Sequence, residues 1–322
     1  RGASLADPVQ NIFPVHRRFG VGAPERILLD AVPVPVGAID LVSAHLHNRA
    51  AHPDSRSKHL ARYGTGGHAN GGLARRMRDL LGGGVRDKLP LYLGIGIDTP
   101  ERMRAVCERA LEAGYRRIML KVGTDVPSDI ARVETCLEVL GGIERVIVDA
   151  NGFWSQHDAV RVAAALDGRD ICFEQPCATM EQCAAVRRRS TRPFVLDESI
   201  EGMDDILRAR QTDAADAVML KFSRFGGITP VRRAIDLAKR LGLAMTVEDS
   251  AGGDIVSAAM AQVGATIPDG ALINGSLIGR MVEERHATDW SPLDGGGFGT
   301  MPPGPGLGIT VDEKIVAKYR VA

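Results

Sequence analysis

No apolar run in this 322-residue sequence approaches the roughly 18–20 residues that a membrane span requires. Neither sign of charge predominates: 40 Lys and Arg stand against 40 Asp and Glu, for a formal net charge of zero. Nothing in that balance recommends nucleic acid or an anionic membrane as a partner. The opening stretch RGASLADPVQNIFPVHRR lacks the apolar segment of a secretory signal. It also lacks an initiator methionine, so the start is expected to be processed, trimmed or incomplete. An even set of cysteines is missing as well. Cys107, Cys136, Cys172, Cys177 and Cys183 are odd in number, and most fall in or beside predicted helices and strands. That favours reduced thiols in a cytoplasmic protein over a disulfide framework. Cys172 and Cys177 flank an apolar strand without a second pair, which suits small buried hydrophobes better than a zinc site.

What is present divides near Gly84. Residues 1–84 are rich in Arg, Pro, Gly and His, and hold His16, His45, His47, His52, His59 and His68, leaving His157 and His286 for the rest. Only ERILLDAVPVPVGAIDLVSAHL and GGLARRMRDLLGG hint at structure there; stretches such as HNRAAHPDSRSKHLARYGTGGHANGG have no sustained period of 2 or 3.6. The histidines are irregularly spaced and few acids accompany them, so a loosely ordered or partner-dependent segment is expected rather than a metal tract.

From residue 85 to 322 a regular alternation takes over. Apolar strands are expected at 89–97, 116–123, 145–151, 171–177, 194–199, 217–227, 243–253 and, more weakly, 270–277. Helices follow them, for example 99–114, with Thr99 as N-cap, Pro100 in the first helical position and Gly114 at the C-terminal end. Helices are also expected at 128–142 and in the apolar stretch DIVSAAMAQVGA. Strand–helix units at a spacing of roughly 25 residues imply a parallel sheet, and eight of them imply closure into a (β/α)8 TIM-type barrel.

Strand after strand ends on a charge: Lys121, Asp149, Glu174, Asp197 with Glu198, Lys221, and Glu248 with Asp249. In such barrels the C-terminal strand ends carry the chemistry. Asp149, Glu174 and Asp197 come from neighbouring strands and should converge. Three unpaired carboxylates at close range raise one another's pKa values, and a divalent cation resolves the conflict. All-oxygen ligation with room for water and substrate suits Mg²⁺ better than zinc. Lys121 and Lys221 come from strands four apart in a ring of eight, so they face one another across the mouth. A lysine desolvated near a dication loses proton affinity and can act as a base; salt bridges to neighbouring carboxylates are the alternative. A metal and two opposed bases suit abstraction and return of the α-proton of a carboxylate substrate through an enolate.

The segments LKVG, VDANGFW, FEQPC, LDES, LKFSRFGG and VEDSAGGDI, in that order, resemble the barrel of the enolase superfamily, in its mandelate racemase/muconate lactonizing enzyme branch. PGPGLGITVDEKIVAKY resembles that branch's C-terminal ending. The resemblance implies Mg²⁺ held by Asp149, Glu174 and Asp197, with Lys121 and Lys221 as acid/base catalysts. It implies Asn151 and Glu198 as partners that orient a ligand or a catalytic lysine, and a homo-oligomer acting on a small-molecule carboxylate. Many members carry Lys-x-Lys at the second strand, where this sequence has Met119. The single lysine, EQPC, SRFGG and GGDI look most like members acting on proline derivatives, hydroxyproline-betaine epimerases and cis-3-hydroxyproline dehydratases. Ala251 stands where the betaine enzymes can place an aromatic ring against the quaternary ammonium, which argues against a betaine. Residues 1–84 stand where the family has a larger capping domain, and are expected to form an atypical or truncated one. The leading expectation is therefore a racemase or epimerase of an amino-acid or proline derivative. A dehydratase of a hydroxy acid such as cis-3-hydroxyproline is the alternative, and a catalytically silent barrel with a defective cap is a third.

Overall fold

The computed structural model describes residues 75–250, 252–277 and 284–318. The histidine-bearing stretch up to His68, most of the expected capping segment and Ala251 lie outside them. A short helix α1 (Met77–Leu80) precedes strand β1 (Lys88–Pro90). Eight strands then form one sheet in chain order: β2 (Leu93–Ile95), β3 (Arg117–Lys121), β4 (Arg145–Asp149), β5 (Cys172–Glu174), β6 (Phe194–Leu196), β7 (Ala217–Lys221), β8 (Ala244–Glu248) and β9 (Leu272–Gly275). Every neighbouring pair is parallel. A parallel bridge between Leu91 and Gly275, with the Tyr92 N–H donating to the Gly275 carbonyl at 3.3 Å, joins the last strand to the first. The helices between strands are α2 (Pro100–Glu112), α3 (Val126–Leu137), α4 (Gln156–Ala165), α5 (Met180–Arg187), α6 (Met203–Gln211), the single turn α7 (Phe222–Phe225), α8 (Ile228–Arg240) and α9 (Gly253–Gly264). Strand β10 (Phe298–Thr300) and helix α10 (Glu313–Lys318) follow. The (β/α)8 architecture is the one expected from the alternation.

Local chemistry sets the helix ends. Thr99, Asp125 and Ser155 each accept a hydrogen bond from a first-turn N–H, and Thr179 forms a reciprocal capping box with Gln182. Gly114 follows α2 with φ +87°, a left-handed turn that costs glycine little. Replacing Thr179 by alanine leaves an orphan N–H at α5, and should lower stability by about 1 kcal/mol in urea denaturation.

Strand side chains alternate between two surroundings. Ile118, Leu120, Val146, Val148, Phe173 and Phe194 pack outward into one core with Met103, Val133, Val162, Met180 and Ile206 of the helices. Tyr92, Met119, Ile147 and Cys172 form a separate buried cluster on the inward face. All twelve residues of α9 are buried. Its Gln262 accepts from the Arg78 N–H at 3.2 Å, which fixes α1 against it. All five cysteines are free and buried.

Several boundaries differ from expectation. The run 89–97 is two strands: β1 pairs antiparallel with β10, and β2 opens the barrel. Pro90 between them has no N–H and cannot carry the ladder onward. The strand expected over 217–227 stops at Lys221, and Phe222–Phe225 turn as a helix closed by Gly226 at φ +83°. The helix expected at 128–142 starts earlier, behind the Asp125 cap, and ends at Leu137.

Candidate active site

Register places the charges. Lys121 lies opposite Asp149 and Asp149 opposite Glu174, so β3, β4 and β5 end on one rung; Lys221 lies opposite Glu248 on β7 and β8. Asp149 (0% exposed), Glu174 (1%) and Asp197 (2%) are the most deeply buried acids of the mouth. Charges so placed must be paired or neutralised.

Two networks handle that charge. Lys121 Nζ donates to Asp149 Oδ2 and, at 3.0 Å, to Asn151 Oδ1. Asn151 in turn donates its Nδ2 to Glu198 Oε1 at 3.0 Å, and its backbone N–H to Asp149 Oδ1 at 2.8 Å. On the other side Lys221 Nζ lies 2.8 Å from Asp197 Oδ2 and 3.1 Å from Glu248 Oε1. Arg224 Nη1 holds Asp197 Oδ1 at 2.7 Å, and the Tyr92 phenol donates to Glu248 Oε2. The lysines are thus salt-bridged to two of the three acids, the alternative weighed from the sequence.

Glu174 stands between the two networks. Its Oε2 is buried and has no hydrogen-bond partner among the described residues. Burial, with Asp149, Glu248 and Asp197 adding to it, pushes its carboxyl well above the usual range. Burial works to lower Lys121, but the charge and hydrogen bond of Asp149 outweigh it and leave the lysine above its ordinary value. Lys221 follows the same pattern, with Glu248 and Asp197 raising it. In this arrangement the lysines themselves neutralise the acids. Among the described residues no three His, Cys, Asp or Glu side chains stand as a set that could hold a metal ion. The donor set is nonetheless all-oxygen and buried, and one of its oxygens has no partner, which fits a hard divalent cation.

Two backbone positions beside the acids are in the left-handed region, Asn151 (φ 46°) and Gln175 (φ 34°). Asparagine tolerates that region; glutamine rarely adopts it. Gln175 is fixed by its side chain, which donates to the Cys177 carbonyl at 2.9 Å and to Ser199 Oγ at 2.6 Å, and accepts the Asp197 N–H at 3.0 Å. It therefore ties the end of β5 to the end of β6. Asp129, wholly buried on α3, accepts from five donors: the Gly123 and Thr124 N–H groups, Thr124 Oγ1, Arg132 Nη1 and Trp154 Nε1. It binds the loop after Lys121 to the loop after Asp149. Asp249 accepts from the Ser223 N–H and hydroxyl and so holds α7, which carries Arg224. Tyr92, Arg224, Gln175 and Asp129 were not singled out from the sequence. Gln175 and Arg224 lie inside the quoted FEQPC and SRFGG segments, which is the signal that could have found them.

The profile of the enolase C-terminal domain-like family matches residues 102–315. A cis-3-hydroxy-L-proline dehydratase of Roseibium aggregatum is 41% identical over 189 residues, 59% of this chain and 52% of that protein. An o-succinylbenzoate synthase of Thermobifida fusca is 36% identical over 189 residues, 58% of each. The chain therefore spans between half and three-fifths of the length of these two relatives. Among solved structures, a mandelate racemase/muconate lactonizing enzyme from Roseovarius nubinhibens ISM superposes with a TM-score of 0.70 at 30% identity, covering 86% of this chain and 81% of that one. An enolase-superfamily member from the same organism, complexed with magnesium, gives 0.70 at 27% identity over 87% and 81%. On the family match and these neighbours, this chain belongs to the enolase superfamily, in its mandelate racemase/muconate lactonizing enzyme branch.

Proposed function

We propose that the protein is a Mg²⁺-dependent racemase or epimerase of a small carboxylate, an amino-acid or proline derivative, using Lys121 and Lys221 on opposite faces of the substrate. The observation that carries this reading is the pair of lysines. They come from strands four apart in the ring, and each sits on a different buried acid, with the unpartnered Glu174 between them. Asp149, Glu174 and Asp197 would hold the cation, which supplies positive charge for the substrate carboxylate and for the enolate left when the α-proton departs. One lysine accepts the proton on Nζ and the other returns one from the far side. The carboxylate charge that raises both lysines is the charge a dication neutralises, and without it each Nζ moves toward the neutral form a base needs. Asn151, anchored on Glu198, orients Lys121; Arg224 and Glu248 flank Lys221. The five free, buried thiols support a reducing compartment, the cytoplasm, and the family resemblance supports a homo-oligomer.

A dehydratase is the second reading, favoured by the 41% identity to a cis-3-hydroxy-L-proline dehydratase. One lysine would then remove the α-proton while a hydroxyl leaves.

The test is α-proton exchange in D₂O with Mg²⁺ over amino-acid, proline and hydroxyproline derivatives, followed by mass spectrometry. Deuterium in recovered substrate of inverted configuration is the expected result. A product short of one water (from a hydroxyproline, the cyclic imine or the 2-keto acid formed when that imine hydrolyses) without inverted substrate selects the dehydratase. Mg²⁺ binding with no exchange from any acid would mean a silent barrel and would defeat both enzyme readings.

A further inference from the structure

We propose that Tyr92 is a positioning residue for Lys221, acting through Glu248, and that it serves one face of the reaction only. The proposal rests on the two-lysine reading above. Tyr92 immediately precedes β2, where Gly94 follows it at the next inward position, so its ring is the large side chain of that strand aimed into the barrel. It is 7% exposed and Glu248 is 8% exposed, so their contact is shielded from water.

The two oxygens of the Glu248 carboxylate have different duties. Oε2 accepts from the Tyr92 phenol, and Oε1 lies 3.1 Å from Lys221 Nζ. A carboxylate engaged at both oxygens cannot rotate, and Lys221, also held at 2.8 Å by Asp197 Oδ2, is fixed from two directions. Without the phenol, Oε2 has no other hydrogen-bond donor among the described residues. In the next inward layer, Thr246, two residues before Glu248, and Asn274 opposite it have buried, unpartnered side-chain polar atoms, and neither bonds Glu248 in this structure. Removing one hydroxyl therefore frees Glu248 to swing away from the lysine.

Lys121 belongs to a different set. Its partners are Asp149 and Asn151, the latter anchored on Glu198, and no side-chain hydrogen bond joins that set to Tyr92, Glu248 and Lys221 among the described residues. A simple packing role for Tyr92 would disturb both sides alike; a positioning role disturbs one.

The deciding experiment uses Tyr92→Phe in the full chain with Mg²⁺, and Glu248→Gln should the first variant fold poorly. Two measurements are made: the crystal structure, and D₂O exchange from each enantiomer separately. Lys221→Ala identifies which enantiomer depends on that lysine. In the variant structure Lys221 Nζ is expected to leave Glu248 while Lys121, Asp149 and Asn151 keep their places. Exchange from the Lys221-dependent enantiomer should fall about ten- to a hundredfold, the effect of one hydrogen bond to a charged group, with the other enantiomer unchanged. An unmoved Lys221–Glu248 pair, or equal losses from both enantiomers, overturns the proposal. If the wild-type protein exchanges no acid, the two-lysine reading fails, and the crystal structures alone decide whether Tyr92 positions Lys221.

Discussion

Alanine at either Lys121 or Lys221 should lower α-proton exchange by on the order of 10²–10⁴-fold, the range that a positioned acid or base contributes. Mg²⁺ binding, followed by calorimetry, should persist in both variants, because neither lysine is a proposed ligand. The two substitutions should differ in stability. Lys121 is about one-third exposed (34%), whereas Lys221 is 8% exposed and pairs with two buried acids. Breaking a buried pair by deleting one partner costs about 3–5 kcal/mol, so Lys221→Ala should be the less stable protein when metal is absent. Added Mg²⁺ should restore much of the difference if Asp197 is a ligand. Full exchange activity in either variant rules out the two-base scheme.

Asp129→Ala should be strongly destabilising although it lies outside the barrel mouth. The carboxylate is wholly buried and satisfies donors from two loops and a helix, including the Arg132 guanidinium. Its removal leaves those N–H groups and a partly buried cation without their acceptor, for a loss of about 3–5 kcal/mol. For a domain of this size that is roughly 10 °C in Tm. Scanning calorimetry checks the size of the loss, and the fluorescence of Trp154, whose indole N–H donates to Asp129, reports the local loosening. An unchanged Tm would show that the five contacts contribute no net stability. Asp129→Asn keeps an acceptor oxygen and should fall between the two.

Much of this was legible because a parallel barrel strand is buried on both faces and reads as a continuous apolar run. A charge at its C-terminal end then stands out, as Asp149, Glu174 and Lys221 do. That Asp149, Glu174 and Asp197 stand at or just past the ends of consecutive strands, and Lys121 and Lys221 at the ends of strands four apart, follows from strand order alone. Other features had no such contrast. Tyr92 in LPLYLGIGI looks like one more core aromatic, since nothing in the run shows that its hydroxyl meets a carboxylate on β8. Asp129 lies within an amphipathic helix, where an acid is expected to face water, and its partners arrive from loops that periodicity does not place. Arg224 was assigned to a strand continuing past Lys221, because FSRF alternates like one, whereas Gly226 and Gly227 allow the helical turn that brings its guanidinium to Asp197. The seating of each lysine on an acid is a matter of side-chain electrostatics that strand order leaves undetermined.

The break at Pro90 bears on how the molecule assembles. Lys88–Pro90 pair with Phe298–Thr300, and Leu91 bridges to Gly275, so the segment leading into the barrel takes its partners from late in the described chain. During synthesis that edge waits exposed until nearly the whole barrel has emerged. Ring closure is then a late, long-range step, of the kind that slows folding and lengthens the interval in which an open strand edge can aggregate.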